Sequence, residues 1–525
     1  MTRDVLIVGG GTAGWITAGY LASVLGIRGG KGVGITLVES PEIGIIGVGE
    51  GTFPTIRRTL MRIGVPEERL IRECNATFKQ GARFAHWRYT PGQEPVRGRD
   101  HYLHSFAVTQ ARGGLDLLPY WLMGVAGDVN WDEVNTVQKI AADAHRAPKR
   151  IVDEDYMAPL NYAFHFDAAK LAELLKEHAI ALGVRHMSDT IDQVHRGEDG
   201  SIDRLTSRNH GDLAADIYVD CTGFRAQLIG QAMGVPYKPC NDVLFCNKAL
   251  AMQVPYERPD TPIPSYTIST AHEAGWTWDI GLDNRRGVGY VYSTDHTSDD
   301  RAEDILRAYV GPAAKDLTAR ALPFTAGFRE TNWHRNCVAI GLSSGFFEPL
   351  EATGIVFSEV AAVMLANLFP WNGSHETSAR QFNDMMLKRY RRALDFIKLH
   401  YCLTQRTDTD FWRDNVRPET VPDGLKDRLE RWRHRPPSFL DMDPSHDIFT
   451  EANWQYVLYG MGFRTDIGTQ AGVYRYFDEA RAQFAGIRRQ SDSALAILPA
   501  HRDLIEQVRR QGFQRNAQGG GRRTA

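Results

Sequence analysis

The sequence predicts an α/β protein with a Rossmann-like dinucleotide-binding unit at its N-terminus and a mostly helical C-terminal region. Three observations carry this. A buried strand, a glycine-rich turn and a helix follow one another in "DVLIVGGGTAGWITAGYLASVLG" (4–26). A second strand, "GITLVES" (34–40), ends in an acidic residue. From about residue 357 apolar residues recur three and four apart, as they do along one face of a helix.

The first element has a reason at each glycine. Gly9, Gly11 and Gly14 fill G-x-G-x-x-G. The first allows a tight turn, the second lets backbone approach a pyrophosphate, and the third lets helix pack on strand. With Thr12 and Ala13 they open the helix, where unpaired N–H groups and the helix dipole favour phosphate. Glu39 follows 25 residues after Gly14, placed for ribose hydroxyls. Two distant stretches favour FAD over NAD: the strand "ADIYVDCTGF" (215–224), and "CVAIGLSSGFFEPLEATG" (337–354), a strand, a glycine-rich loop and a helix. Segments of this kind close the isoalloxazine site in two-domain flavin monooxygenases. The predicted fold is therefore an FAD-binding, Rossmann-like two-domain flavin monooxygenase architecture with a mostly helical substrate-side region. No second complete G-x-G-x-x-G occurs, so no separate nicotinamide domain is visible.

The expected organisation is an FAD-binding domain over 1–360, with a mixed β-sheet region inserted at about 75–215 and 240–330. A mostly helical substrate-side domain follows over 361–515, then a disordered tail over 516–525. "HFDAAKLAELLKEHAIALG" (165–183) has helical spacing, and "GWTWDIGLDNRRGVGYVYS" (275–293) reads as two strands joined through "DNRRG". "SEVAAVMLANLF" and "ARQFNDMMLKRYRRALDFIKLHYCL" supply the first C-terminal helices.

Composition narrows the class. The 525 residues carry a net charge of −3, which gives no reason to expect nucleic acid or an acidic membrane surface as a partner. The six cysteines are scattered without metal spacing and read as reduced, mostly buried thiols in a cytoplasmic protein. No metal site and no spanning helix is expected.

Three stretches could carry chemistry. "ATFKQGARFAHW" (76–87) reads as one strand with Lys79 on the face of Thr77, Gly81, Arg83, Ala85 and Trp87. Lys79 is then either a buried amine with a lowered pKa or an edge-strand lysine whose charge blunts the edge. "EPLEATG" (348–354) offers Glu348 and Glu351 before Thr353 and Gly354, where backbone N–H groups make a small anion site; Glu351 alternatively just occupies a helix's first turn. In "GWTWDIGL" (275–282), Trp276, Trp278, Ile280 and Leu282 share one strand face, either as core or as a wall beside a reaction.

Together these stretches resemble the flavin-dependent tryptophan halogenases along nearly the whole chain. "GGGTAGW" (9–15) is similar to their flavin fingerprint, and "GVGEGTFPTI" (47–56) to the strap between their flavin and substrate sites. "TFK" (77–79) puts Lys79 at their essential lysine. "EPLEATG" resembles P-L-E-S-T-G with Ala352 for serine, and "GWTWDIG" resembles W-x-W-x-I-P with Gly281 for proline. "HYCLTQRTDTDFW" (400–412) matches a further family segment. The chain thus reads as a divergent member.

The resemblance implies an oxidoreductase of the tryptophan 7-halogenase type. Reduced FAD and O2 give a flavin hydroperoxide, and chloride or bromide near Thr353 and Gly354 turns it into hypohalous acid. The acid passes inside the protein to Lys79, which hydrogen-bonds it or forms a haloamine. An electron-rich aromatic, such as an indole, attacks the halogen, while Glu351 activates the electrophile and accepts the ring proton. Gly49, Glu50, Gly341, Gly354 and Ile355 join Gly9, Gly11, Thr12, Ala13, Gly14 and Glu39 as cofactor contacts, and Trp276, Trp278 and Ile280 form the signature wall. His104 and Phe106, with Trp454 and Tyr456, are candidates for the substrate pocket. A separate NAD(P)H-dependent flavin reductase and a small aromatic substrate are the implied partners, with a homodimer left open. No counterpart is found for the segments that grip free tryptophan, so substrate, regiochemistry and halide preference stay open. A flavin monooxygenase that hydroxylates an aromatic is one alternative; a non-catalytic flavin-binding redox sensor is another.

Overall fold

The protein is described by a computed structural model over residues 2–27, 32–44, 49–109 and 113–514. The predicted tail over 516–525 and the first two residues of the strap segment, 47 and 48, lie outside the described residues. The nucleotide unit is a six-stranded sheet in the order Trp333–His334, Cys337–Ala339, Ile217–Asp220, Asp4–Val8, Gly34–Glu39, Arg185–Ser188. Every pairing is parallel except that of the edge strand Trp333–His334. Parallel strands are covered on both faces, which is why Val5–Val8 read as an unbroken apolar run and are all buried. Helix Thr12–Val24 is the crossover between the first two strands.

Helix Ala168–Ala181 begins where Asp167 caps it, accepting from the N–H groups of Ala169 and Lys170. The stretch read as helical from residue 165 therefore starts in strand Ala163–Asp167. The helix leads to Arg185–Ser188, which pairs with Gly34–Glu39. This segment was expected within the inserted β region and belongs instead to the nucleotide sheet.

The second layer is a seven-stranded sheet in the order Arg320–Pro323, Lys248–Pro255, Arg285–Tyr292, Gly275–Gly281, Thr267–Ala271, Gly81–Ala85, His101–Ser105. The hairpin 275–292 forms as predicted but with a tighter turn. Gly281 pairs with Arg286, so both arginines of "DNRRG" lie in the second strand.

The stretch 76–87 is not one strand. Thr77–Lys79 joins a small sheet with Ala163–Asp167 and Gly49–Gly51, while Gly81–Ala85 enters the seven-stranded sheet. Gln80 makes the break. Its N–H donates to the Ser265 carbonyl at 2.6 Å, and its side-chain amide donates to Arg146 O and Ser265 Oγ at 2.8 and 2.9 Å. The predicted shared face of Lys79, Gly81 and Arg83 is lost with it.

Helices Thr353–Asn367, Glu376–Cys402, Asp423–Trp432, Glu451–Gly460, Phe477–Ile497 and His501–Gln511 make up most of the C-terminal region. By length and composition, the segment Leu350–Asn367 could span a bilayer, yet 67% of it is buried inside the protein, as in a core helix. All six cysteines are unpaired, and four of them are buried.

Candidate active site

The three motif glycines occupy three different environments. A Cβ on Gly9, which adopts φ +113°, would lie 2.2 Å from the Cys221 carbonyl oxygen. One on Gly14 would lie 1.9 Å from the Gly9 oxygen, whereas one on Gly11 would meet nothing within 4 Å. Turn and helix packing are therefore tight, and the face of Gly11 is open, as close approach of a pyrophosphate requires. The following helix has no side-chain cap and no acidic residue in its first turn, so the first N–H groups, beginning at Thr12 and Ala13, fit an anion. Glu39 lies beneath the turn: its carboxylate accepts from Lys176 Nζ at 2.9 Å and from Trp15 Nε1 at 3.3 Å. Gly341, at φ +80°, brings the late loop against Ala13, where a Cβ would come within 2.7 Å of that side chain. These residues fit a flavin dinucleotide.

The loop from Gly341 runs from the nucleotide turn to the interior. At its far end Glu351 and Ala352 adopt φ 64° and 51°, two successive non-glycine residues in the left-handed region. Each costs roughly 1–3 kcal/mol. Glu351 is thus not in a helix's first turn, as one reading had it; the kink precedes helix Thr353–Asn367 and points its carboxylate inward. Oε1 accepts from His104 Nδ1 at 2.7 Å and lies 3.0 Å from His400 Nε2. The two histidines hold its carboxyl below the usual range against the opposing effect of burial. Thr353 is buried at the helix start, and a Cβ on Gly354 would meet nothing within 4 Å. Ile355 is buried one residue further on.

Lys79 ends its short strand at the edge of the three-stranded sheet, yet it is only 3% exposed. A solvated edge charge is thereby excluded. Burial lowers its pKa to about 8, only partly countered by the charge of Glu351. Its ammonium lies 5.4 Å from the centre of the Phe106 ring and, among the described residues, makes no hydrogen bond or ion pair. A Cβ on Gly51 would come within 3.0 Å of Lys79 Nζ, so the strap runs directly against the amine. Glu50 beside it is pushed up to about 7, by burial and then by Asp167.

The strap also touches the tryptophan strand. A Cβ on Gly49 would meet Ile280 Cγ2 at 3.3 Å. Trp276, Trp278 and Ile280 are all buried. Trp278 lies over its cross-strand partner Gly289, where a Cβ would come within 2.2 Å of the ring. Trp276 donates its indole N–H to Glu348 Oε1 at 3.0 Å, so the wall is bolted to the same loop that presents Glu351. Tyr401 also donates to Glu348, whose pKa burial raises to about 7. The Gly281 carbonyl accepts from Thr77 Oγ1 at 2.6 Å, and a Cβ on Gly281 would meet Ile263 at 2.8 Å.

Of the pocket candidates, His104 bonds Glu351 and Phe106 underlies Lys79. Tyr456 supports His104 from behind, with ring centres 6.0 Å apart, and its hydroxyl donates to Ala107 O. Trp454 packs on Phe396 and Trp432 at 4.9 and 5.2 Å. Sequence reading missed Phe449. It stacks on Phe396 at 3.8 Å and meets Phe53 of the strap at 5.4 Å, and Phe53 in turn meets Phe106. The signal was present: Thr450 and Asn453 form a capping box, and Phe449 precedes that cap as Trp454 follows it, in staple positions.

A dinucleotide-binding fold whose late loop carries the buried Glu351 and whose strap runs against the buried Lys79 has the make-up of a flavin-dependent oxidoreductase. The tryptophan halogenase family model matches residues 4–472, and the chain belongs to this family of flavin-dependent halogenases. It is 38% identical to tryptophan 6-halogenase SttH of Streptomyces toxytricini over 87% of this chain and 89% of that one. Tryptophan 7-halogenase RebH of Lentzea aerocolonigenes is 33% identical over 96% and 98%. The crystal structure of a tryptophan halogenase from Shewanella frigidimarina superposes with TM-score 0.93 at 39% identity, covering 98% of this chain and 99% of that one. Halogenation of an electron-rich aromatic is thus the activity supported; the hydroxylase and redox-sensor alternatives gain nothing from these relatives.

Proposed function

We propose that this chain uses reduced FAD, O2 and chloride or bromide to halogenate an indole-like aromatic, with Lys79 delivering the halogen and Glu351 serving as general base. The observation that carries this is the buried Lys79 amine, without an ion pair among the described residues, near enough to the buried Glu351 for that carboxylate's charge to act on it. Bound reduced flavin supplies the electrons that activate O2 so that halide becomes hypohalous acid. Gly9, Gly11, Thr12, Ala13, Gly14, Glu39, Gly49, Glu50, Gly341 and Ile355 hold that cofactor, and Thr353 with Gly354 holds the halide. Trp276, Trp278 and Ile280 exclude water along the way.

A pKa of about 8 leaves roughly a tenth of Lys79 as neutral amine at pH 7. Lys79 takes up hypohalous acid by hydrogen bonding or as a haloamine formed with loss of water. The ring attacks the halogen as its bond to oxygen or nitrogen breaks: from hypohalous acid the Lys79 ammonium gives the departing oxygen a proton to form water, from the protonated haloamine the neutral amine leaves, and in both cases the ring proton goes to Glu351. Phe53, Phe106 and Phe449 orient the substrate, so the carbon presented to Lys79 sets regiochemistry. Both 6- and 7-halogenases are among the relatives. A separate NAD(P)H-dependent reductase supplies the flavin, and the enzyme works in the cytoplasm.

The test is incubation with FAD, a flavin reductase, NADH and either halide over a panel of indoles, phenols and tryptophan, read by isotope pattern. Product that depends on halide is expected; an oxygenated product without halogen would overturn the proposal. Gly51 offers a second check. Valine there pushes against Lys79 Nζ, and a misplacement of about 1 Å costs on the order of 10²-fold in rate. Gly51→Val is expected to lose product by that order while its FAD affinity, read by flavin fluorescence, stays unchanged.

A further inference from the structure

Two histidines grip Glu351, and the proton count separates them. Asn453 accepts from Thr450 N and Oγ1 at 2.7 and 3.0 Å through its Oδ1, which turns its NH2 group to His104 Nε2 at 2.8 Å. That nitrogen must therefore accept, so the single ring proton of His104 sits on Nδ1 and is donated to Glu351 Oε1. His104 is neutral. His400 differs: Nδ1 lies 3.0 Å from the Phe396 carbonyl, which can only accept, so Nδ1 carries a proton. Nε2 lies 3.0 Å from Glu351 Oε1, and two lone pairs do not meet at that distance. One further proton lies between them. Oε1 already accepts from His104, and a second N–H donor on the same oxygen favours the carboxylate form. The ring of His400 also sits 4.7 Å from that of Phe84, within the range at which an aromatic ring attracts a cation.

We propose that His400 is held as an imidazolium, the counter-ion of Glu351, and acts as a positioning residue that keeps Glu351 ionised and leaves Lys79 without a counter-charge. This rests on the roles given above to Lys79 and Glu351. The pair is neutral overall, so it offers the nearby Lys79 no net counter-charge. The titratable groups facing the pair are Lys79 from its short strand and Tyr102 and His104 from strand His101–Ser105; Phe84, Trp87 and Phe396 complete the surroundings of His400. With the imidazolium removed, Glu351 would draw a proton more readily and would also hold one on Lys79 more firmly.

The first measurement is NMR of the protein with 15N-labelled histidine. At pH 7 one ring is expected to carry both N–H groups and to vanish in His400→Gln; in Glu351→Gln the same ring should become neutral. A His400 ring with one bare nitrogen in the native protein overturns the proposal, whatever reaction the enzyme performs. The second measurement is the pH profile of His400→Gln, which keeps an N–H donor but no charge. The acid limb of kcat is expected to move up by about one pH unit or more, so that kcat at pH 7 falls about tenfold and recovers at high pH. The KM for indole and the rate of flavin oxidation should hold. A loss that is uniform across pH assigns His400 a merely structural role and overturns the proposal. If the native enzyme halogenates nothing, the reading of Lys79 and Glu351 fails, while the NMR result still stands by itself.

Discussion

Lys79→Ala is expected to bind FAD and consume O2 with reduced flavin as the native enzyme does, and to release almost no halogenated product. Without the amine, hypohalous acid is no longer held at one point before the ring. Positioning of this kind is worth many orders of magnitude in effective concentration, so a fall of ~10³-fold or more is expected in the rate of C–halogen formation. The acid should escape instead, and a solution trap such as a reactive phenol should collect it. A variant that keeps native halogenation removes the assignment. Misfolding is distinguishable, because Lys79 destabilises the fold at neutral pH. Its pKa falls from 10.5 unfolded to about 8 folded, so between these values the unfolded chain binds more protons and stability rises with pH. Below pH 8 the full penalty, on the order of 3 kcal/mol, is present. Lys79→Met, which keeps the stem's volume, should therefore melt at a higher temperature than the native protein at pH 7, and the difference should shrink toward pH 10.

Local chemistry made the nucleotide unit legible. The spacing of the turn's glycines, with strand before and helix after, is a local pattern even though Gly9 packs on the distant Cys221, and the strand face of Trp276, Trp278 and Ile280 follows from period two alone. The chamber was legible only in its residue types. Lys79 was named, but the break at Gln80 that turns it inward depends on Ser265 and Arg146, which no pattern around residue 80 reveals. Glu351 was named too, yet propensity places no glutamate at φ 64°, so the kink that aims it lay beyond reach. His400 was read as the end of a helical stretch and the start of a family-like segment, with no role of its own; its meaning comes from Glu351, His104 and Asn453 on three other elements. Gly281, where the family carries proline, is likewise set by distant residues: a Cβ there would meet the side chains of Ile263 and Tyr256 at 2.8 and 3.1 Å.

Glu351→Gln carries the second large effect. Glutamine keeps the shape, and its oxygen can still accept from His104, so the kinked loop should survive and FAD binding should hold. What disappears is the carboxylate. Loss of a positioned general base typically costs 10²–10⁴-fold, and a fall of ~10³-fold in halogenated product is expected. Flavin oxidation should continue, and trapped hypohalous acid should rise as productive halogenation falls. A variant that halogenates at the native rate removes Glu351 from the chemistry and leaves it only a structural role beside His104. Combination with His400→Gln sharpens the result. If His400 acts solely through the charge of Glu351, its substitution costs nothing more once that charge is gone, and the double variant should match Glu351→Gln alone. Additive losses would instead mean that His400 acts on the chamber by a route of its own.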